Sequence, residues 1–281
     1  MRFVFTVTPG RSGQASLTEL VARCCAGVEA AFEEPQVQTI LPGALGVVER
    51  RLRRRFVETH ELLGRGDVLR AFAAGDSAAL ELHARRRHRW MLRRATGKSV
   101  FFDISKYFIR GMHYHLAALA GRPSIVFLVR DPVLNMRSFL NRGKDFRLDN
   151  NSPADRANVL RMPADMDPPS LYLWAWTEGY LRGLRLVAER GLDAPVVIRT
   201  PDLDDARAMA VHLAALGLPC ARVQTRPAIN TNRSQGHAAT AATRADIEAF
   251  ERWRDAVPPA LWDELAFMRG YDPRASLEPQ R

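Results

Sequence analysis

The sequence predicts an α/β fold, with a central parallel sheet flanked by helices. Three observations predict it. Residues 125–129 are apolar without a break, as in a strand buried on both faces. Short apolar segments alternate with helix-length ones along most of the chain, and that alternation gives parallel strands. The turns after two of the apolar segments carry glycine or arginine, where open sheets of this kind place their ligands.

The elements follow in order. Residues 3–8 read as a strand, 16–31 as a helix, and 37–41 as a short apolar segment that is a candidate second strand. From 45 to 94 the pattern is helical and basic, broken at 64–67 and 75–76, and this is a helical insertion spanning about residues 44–96. Residues 99–103 read as a strand and 108–120 as a helix. The buried strand at 125–129 leads into a helix at 132–140, where Pro132 suits a first helical position. Residues 141–169 are long, polar and proline-bearing, the character of a lid, a binding loop or a disordered segment. A helix at 171–190 carries Trp174, Trp176 and Tyr180, as core packing or as the lining of an acceptor pocket. A strand at 194–198, a helix at 202–217, an irregular loop at 227–236 and a helical C-terminal stretch complete one domain, residues 1–281.

The charge is distinctive. The chain has a net charge of +10 and 41 basic residues, of which only Lys98, Lys106 and Lys144 are lysines. Arginine makes forked contacts to phosphate and sulfate. The densest runs, 50–55 and 85–94, read as solvated helix faces or as a positive field that attracts anionic ligands. Neither is interleaved with a docking motif or stacking platform, so nucleic acid is not expected as a partner. No apolar stretch reaches the ~18 residues of a membrane span, and the N-terminus shows no secretory pattern. Cys24, Cys25 and Cys220 are odd in number with two adjacent, which is neither a disulfide framework nor a metal site. They are expected to be reduced core cysteines of a cytoplasmic protein. No zinc spacing is present, and no metal is expected.

Two segments carry chemistry. The first is Thr8-Pro9-Gly10-Arg11-Ser12-Gly13-Gln14-Ala15-Ser16, between the first strand and the first helix. Gly10 and Gly13 let the backbone curl so that amides can point at an anion. Arg11 adds a charge, Ser12 and Ser16 add hydroxyls, Gln14 adds an amide, and the helix N-terminus adds its partial positive charge. The glycine spacing fits neither GxxxxGK[ST] nor GxGxxG. The second is Arg130-Asp131-Pro132, at the end of the buried strand, with Ser138 eight residues on. About two helical turns separate Arg130 and Ser138, which puts them on one side.

Together the two segments resemble the sulfotransferase family that uses 3′-phosphoadenosine 5′-phosphosulfate (PAPS). In that family a strand leads into a loop with Lys or Arg followed by Ser-Gly, which holds the 5′-phosphosulfate; Gly10–Gly13 matches its bacterial form. An Arg at a strand end with a Ser eight residues on grips the 3′-phosphate, as Arg130 and Ser138 would. Weaker matches are Asp202-Leu203 and Leu216-Gly217-Leu218. After Gly13 the family usually has two Thr or Ser residues, where this chain has Gln14 and Ala15. Asn232 and Arg233 are a positional substitute for the family's C-terminal cofactor loop. The resemblance implies a P-loop-like three-layer sandwich of sulfotransferase type. It implies sulfonate transfer from PAPS to a hydroxyl or amine of a small-molecule or glycan acceptor. The alternative is a non-catalytic or phosphate-transferring nucleotide-binding protein of the same fold.

Such a transfer needs cations at the leaving phosphate and a base at the acceptor. Arg11 is the expected cation. The resemblance puts acceptor-site residues at the end of the strand over 99–103, which makes Asp103 the expected base and Lys106 an aid to the sulfonate. His113, His115 and His60 are alternatives. His113 and His115, two apart on a helix, face different sides.

Overall fold

A computed structural model describes residues 1–36, 39–56, 59–141, 157–161, 165–220, 222–225 and 241–277. Five parallel strands form the sheet: β1 (Arg2–Val7), β2 (Val28–Phe32), β3 (Val100–Ile104), β4 (Ser124–Val129) and β5 (Val196–Arg199), in the order β2-β3-β1-β4-β5. The three inner strands are almost wholly buried, whereas β2 and β5 at the edges are only partly so. Burial on both faces is why β4 reads as a continuous apolar run over 125–129, and why β1 and β3 are mostly apolar rather than alternating.

The helices are α1 (Gln14–Cys24), α2 (Gly43–Phe56), α3 (Thr59–Leu63), α4 (Asp67–Ala74), α5 (Ser77–Arg94), α6 (His113–Leu119), α7 (Pro132–Leu140), α8 (Pro168–Glu189), α9 (Ala206–Ala215), α10 (Arg244–Ala256) and α11 (Pro259–Glu264). One face of the sheet packs Val4, Phe102, Val126, Leu128 and Ile198 against Leu17 and Val21 of α1 and Met209 and Leu213 of α9. The other packs Phe3, Phe5, Phe101 and Phe127 under a layer that includes α4, α5, α6, α8 and α10. The result is a three-layer arrangement with helices on both faces.

The strand order sets the position of a site. From β1 the chain goes through α1 toward the β2 edge, and from β4 it goes through α7 and α8 toward the β5 edge. β1 and β4 are neighbours whose connections leave in opposite directions, and ligands of open parallel sheets bind at that divergence.

Three expectations change. The second strand is β2, Val28–Phe32, α1 ends at Cys24, and of the expected 37–41 segment the described residues 39–41 are in no strand. Val28, Ala31 and Phe32 have helical spacing, so the strand read as a continuation of the helix; Gly27, at φ 71°, makes the break. The expected helices at 108–120 and 202–217 each divide into a short 3-10 turn and a helix, at Gly111 and at the capping residue Asp205. The third concerns the cysteines. Cys25 and Cys220 form a disulfide across a sequence separation of 195 residues, with Cα atoms 4.3 Å apart, and Cys24 is the free thiol. An odd count is satisfied by one pair plus one thiol, so parity did not exclude the bond. The pair removes the ground for reading a reducing compartment from the cysteines. Among the described residues no helix is long and apolar enough to cross a membrane, and no cluster of His, Cys, Asp or Glu could hold a metal ion.

Candidate anion-binding site

The β1–α1 loop, residues 8–13, lies at the divergence of the connections. Its backbone is left-handed at three positions: Gly10 (φ 100°), Arg11 (φ 62°) and Gly13 (φ 90°). Arg11 is one of two non-glycine residues so placed among the described residues, and such a conformation persists only where its surroundings enforce it. Gly13 cannot be replaced without movement, because a Cβ there would run into Leu203 Cδ1.

The enforcement is visible in the loop's carbonyl groups. Arg130 Nη1 donates to the carbonyl oxygen of Arg11 at 3.0 Å. Asn135 Nδ2, on α7, donates to that of Gly10 at 3.1 Å and to Ser12 Oγ at 3.2 Å. Thr200 Oγ1, just past β5, donates to that of Ser12 at 3.1 Å. Three successive carbonyl oxygens, each repulsive to an anion, are thus occupied by donors from the ends of β4 and β5 and from α7. Tyr172 of α8 donates its hydroxyl to Asn135 Oδ1, which fixes the amide that holds the loop. Gly13 gives α1 no side-chain cap, and no acidic residue occupies the first turn of that helix. The positive end of its dipole is therefore not countered by its own sequence.

Cations gather around this loop. Burial pushes the Tyr172 hydroxyl pKa up, while Arg130, Arg110 and Arg11 pull it down, which puts all three guanidinium groups in electrostatic reach of one phenol. Arg110, just after β3, is itself buried, and burial lowers its pKa to about 10 against the opposing pull of Glu33 and Tyr172. Arg65, Lys106 and Arg110 lie 4.1, 4.8 and 5.2 Å from the centre of the Tyr107 ring.

One carboxylate sits among them. Glu33 follows the end of β2 with φ 48°. Both of its oxygens accept from Lys106 Nζ at 2.8 Å, and Oε1 accepts from Gln14 Nε2 at 3.1 Å. Burial lowers Lys106 to about 8, with Glu33 holding it up and Arg110 and Arg65 pressing it further down. Lys106 also borders the loop: a Cβ on Gly10 would lie 3.0 Å from its Cδ.

The structure therefore brings Gly10, Arg11, Ser12, Gly13, Gln14, Lys106 and Arg130 together. Ser138 is buried on α7, and Ser16 is half-buried on α1. Asp103 is engaged differently from the expectation. It lies next to last in β3, in a forked ion pair with Arg87 of α5, both oxygens 3.0 Å from Arg87 Nη2, with both side chains 2% exposed. Arg87 also donates to the carbonyl of Glu34. Burial raises the Asp103 pKa and Arg87 opposes the rise. Such a carboxylate ties α5 to the sheet and is not open to an acceptor.

His113 and His115 lie elsewhere. His113 is fully buried among Phe72, Phe108 and Tyr114, and burial lowers it to about 3. His115 faces Ser77 Oγ at 3.5 Å. The His60 backbone carbonyl accepts from Arg65, at the end of α3. Trp174, Trp176 and Tyr180 are core residues, and the Tyr180 hydroxyl donates to the Leu128 carbonyl at 2.7 Å. Asn232 and Arg233 lie outside the described residues.

Glu33, Arg110, Asn135, Tyr172 and Thr200 were not foreseen. For Glu33 a signal existed: a short segment, Val28–Phe32, bounded by Gly27 and followed by Glu33-Glu34-Pro35, which is strand punctuation. Comparison of the chain with known protein families and with curated proteins finds no match in either.

Proposed function

We propose that the protein transfers a sulfonate group from PAPS to a hydroxyl or amine of a small-molecule or glycan acceptor. The observation that carries this reading is the loop itself. Arg11 is held in a left-handed conformation by Arg130, so the two arginines of the sequence resemblance are neighbours across β1 and β4. The residues fit a nucleotide with anions at both ends. Gly10, Arg11, Ser12 and Gly13, at the open helix N-terminus, would hold the 5′-phosphosulfate. Arg130 and Ser138 would hold the 3′-phosphate. When bound, the nucleotide supplies an activated sulfonate whose sulfur–oxygen bond to phosphate is the one broken.

The chain's own groups supply the rest. Glu33 is the base: its carboxylate stands beside Lys106 and Gln14 at the edge of the loop, and takes the proton of the acceptor hydroxyl or amine as the acceptor's electron pair bonds to sulfur. Arg11 and Lys106 stabilise the electron pair that departs onto the phosphate oxygen, as fixed cations that need no rearrangement during the step. Lys106 offsets the charge of Glu33 before the reaction. Asp103 keeps α5 and the sheet together and takes no part.

Titration calorimetry with adenosine 3′,5′-bisphosphate tests the reading. Binding at sub-millimolar concentration is expected, and its absence overturns the proposal.

A further inference from the structure

Among the described residues, large apolar side chains that face solvent are concentrated in one place. Ile40, Leu41, Leu45, Val47, Val48 and Leu52 account for six of the eleven, with Ile40 79% and Leu45 64% exposed. Leu45, Val48 and Leu52 are spaced i, i+3 and i+7 on α2, so they form one stripe. α2 packs chiefly on α3 and is exposed around most of its circumference, which makes it a ridge rather than the wall of a groove.

The turn before α2 is held to that ridge. Glu49 Oε2 accepts from the backbone N–H of both Ile40 and Leu41 at 2.8 Å. Gly46 lets the turn lie close, because a Cβ there would strike the Leu41 carbonyl. The polar side of the helix is basic. Residues 50–55 contain five arginines and one leucine, and Arg50 and Arg51 are exposed. Glu49 is the lone acid of α2, and it is already bonded to the turn and to Arg53 at 2.9 Å.

We infer that α2 and the turn at Ile40-Leu41 form an interfacial anchor that docks the protein on an anionic lipid surface. A solvated apolar stripe bordered by arginines, on a helix of low net hydrophobicity, is the pattern of a helix that lies in the headgroup region. Arginine stems run along the acyl boundary while their heads meet lipid phosphates. A bilayer yields around a ridge, whereas a protein partner would need a matching groove. This inference does not depend on the sulfonate-transfer reading.

The test is co-sedimentation of the full chain with vesicles of phosphatidylcholine containing phosphatidylserine, and with phosphatidylcholine alone. The protein is expected to partition onto the anionic vesicles, less at high salt, and weakly onto the neutral ones. The triple variant Leu45→Ser, Val48→Ser, Leu52→Ser should lose at least about tenfold in partitioning. Its melting temperature should be unchanged, because the three side chains face solvent. A Leu45→Trp variant should shift its emission to the blue on anionic vesicles. Absence of partitioning overturns the inference. Equal partitioning of wild type and triple variant overturns it too, because the charge elsewhere on the chain would then suffice. So does a concentration-dependent dimer that the triple variant dissolves, since a second copy would then cover the stripe.

Discussion

Arg130 donates from Nη1 to the carbonyl oxygen of Arg11 at 3.0 Å, across 119 residues of sequence. The contact couples the end of β4 to the loop after β1 and uses only part of a five-donor guanidinium. The proposed function assigns the remaining donors to a 3′-phosphate. Arg130→Ala is therefore expected to act twice, on the loop's shape and on the ligand.

The two effects separate with two nucleotides. By calorimetry, Arg130→Ala should weaken adenosine 3′,5′-bisphosphate by about 2 kcal/mol, roughly thirtyfold. Adenosine 5′-phosphate should lose clearly less, since it reports the loop alone. Equal losses would show that Arg130 shapes the loop without touching a 3′-phosphate.

Glu33 and Asp103 are opposite cases of a carboxylate at a strand end, and substitution should show it. Glu33→Gln should lower turnover by at least ~100-fold with the fold intact. Asp103→Asn should instead cost stability, about 3–5 kcal/mol in urea unfolding, because it strands Arg87 in the core. The Arg87→Met variant adds a pH signature. Burial already raises the Asp103 pKa and Arg87 opposes it, so losing Arg87 raises it further. A raised carboxyl pKa gives stability at low pH that is lost as pH climbs through the folded-state value. The deficit of Arg87→Met relative to wild type should therefore shrink on acidification; a deficit independent of pH would mean that the pair is held by packing alone.

The Cys25–Cys220 bond closes a loop of 195 residues. Cys220→Ser should lower unfolding free energy by roughly 2–5 kcal/mol, measured by urea denaturation. Thiol titration of the denatured chain should find one reactive cysteine in the wild type, Cys24, and a second in the variant. Three reactive cysteines in the wild type would remove the bond.

What the sequence disclosed was local. The strand before Arg130, the proline that opens α7 and the glycines around Arg11 all act within a few residues of themselves, and the sheet and the left-handed turn of the β1–α1 loop were legible from them. What it concealed depended on pairing at a distance. Asp103 looked like a free base because its partner, Arg87, comes from a helix 16 residues earlier whose arginines read as a solvated face. Glu33 was hidden by the helical spacing of Val28, Ala31 and Phe32, which moved β2 to the wrong place and took the carboxylate with it. Asn135 and Tyr172 carry no motif, since their work is to hold the loop's carbonyl groups and each other.

Lys106 gives a direct reading of the site's electrostatics. It is one of three lysines in the chain, with Lys98 and Lys144, and burial brings it to about 8 while Glu33 holds it from falling further. An amine labels only when deprotonated, so Lys106 should react first with a small acylating reagent near pH 8, as mapped by peptide mass spectrometry. Glu33→Gln removes the group that raises the Lys106 pKa, so the labelling midpoint should move to lower pH. The sign carries into stability as well. A lysine pKa lowered in the folded state means that the unfolded chain binds more protons between about 8 and the ordinary value of 10.5, so this group's contribution to stability grows as pH rises through that window. A midpoint near the ordinary lysine value, or one that Glu33→Gln leaves in place, would mean that Lys106 is solvated and unpaired, and would remove it from the leaving-group role.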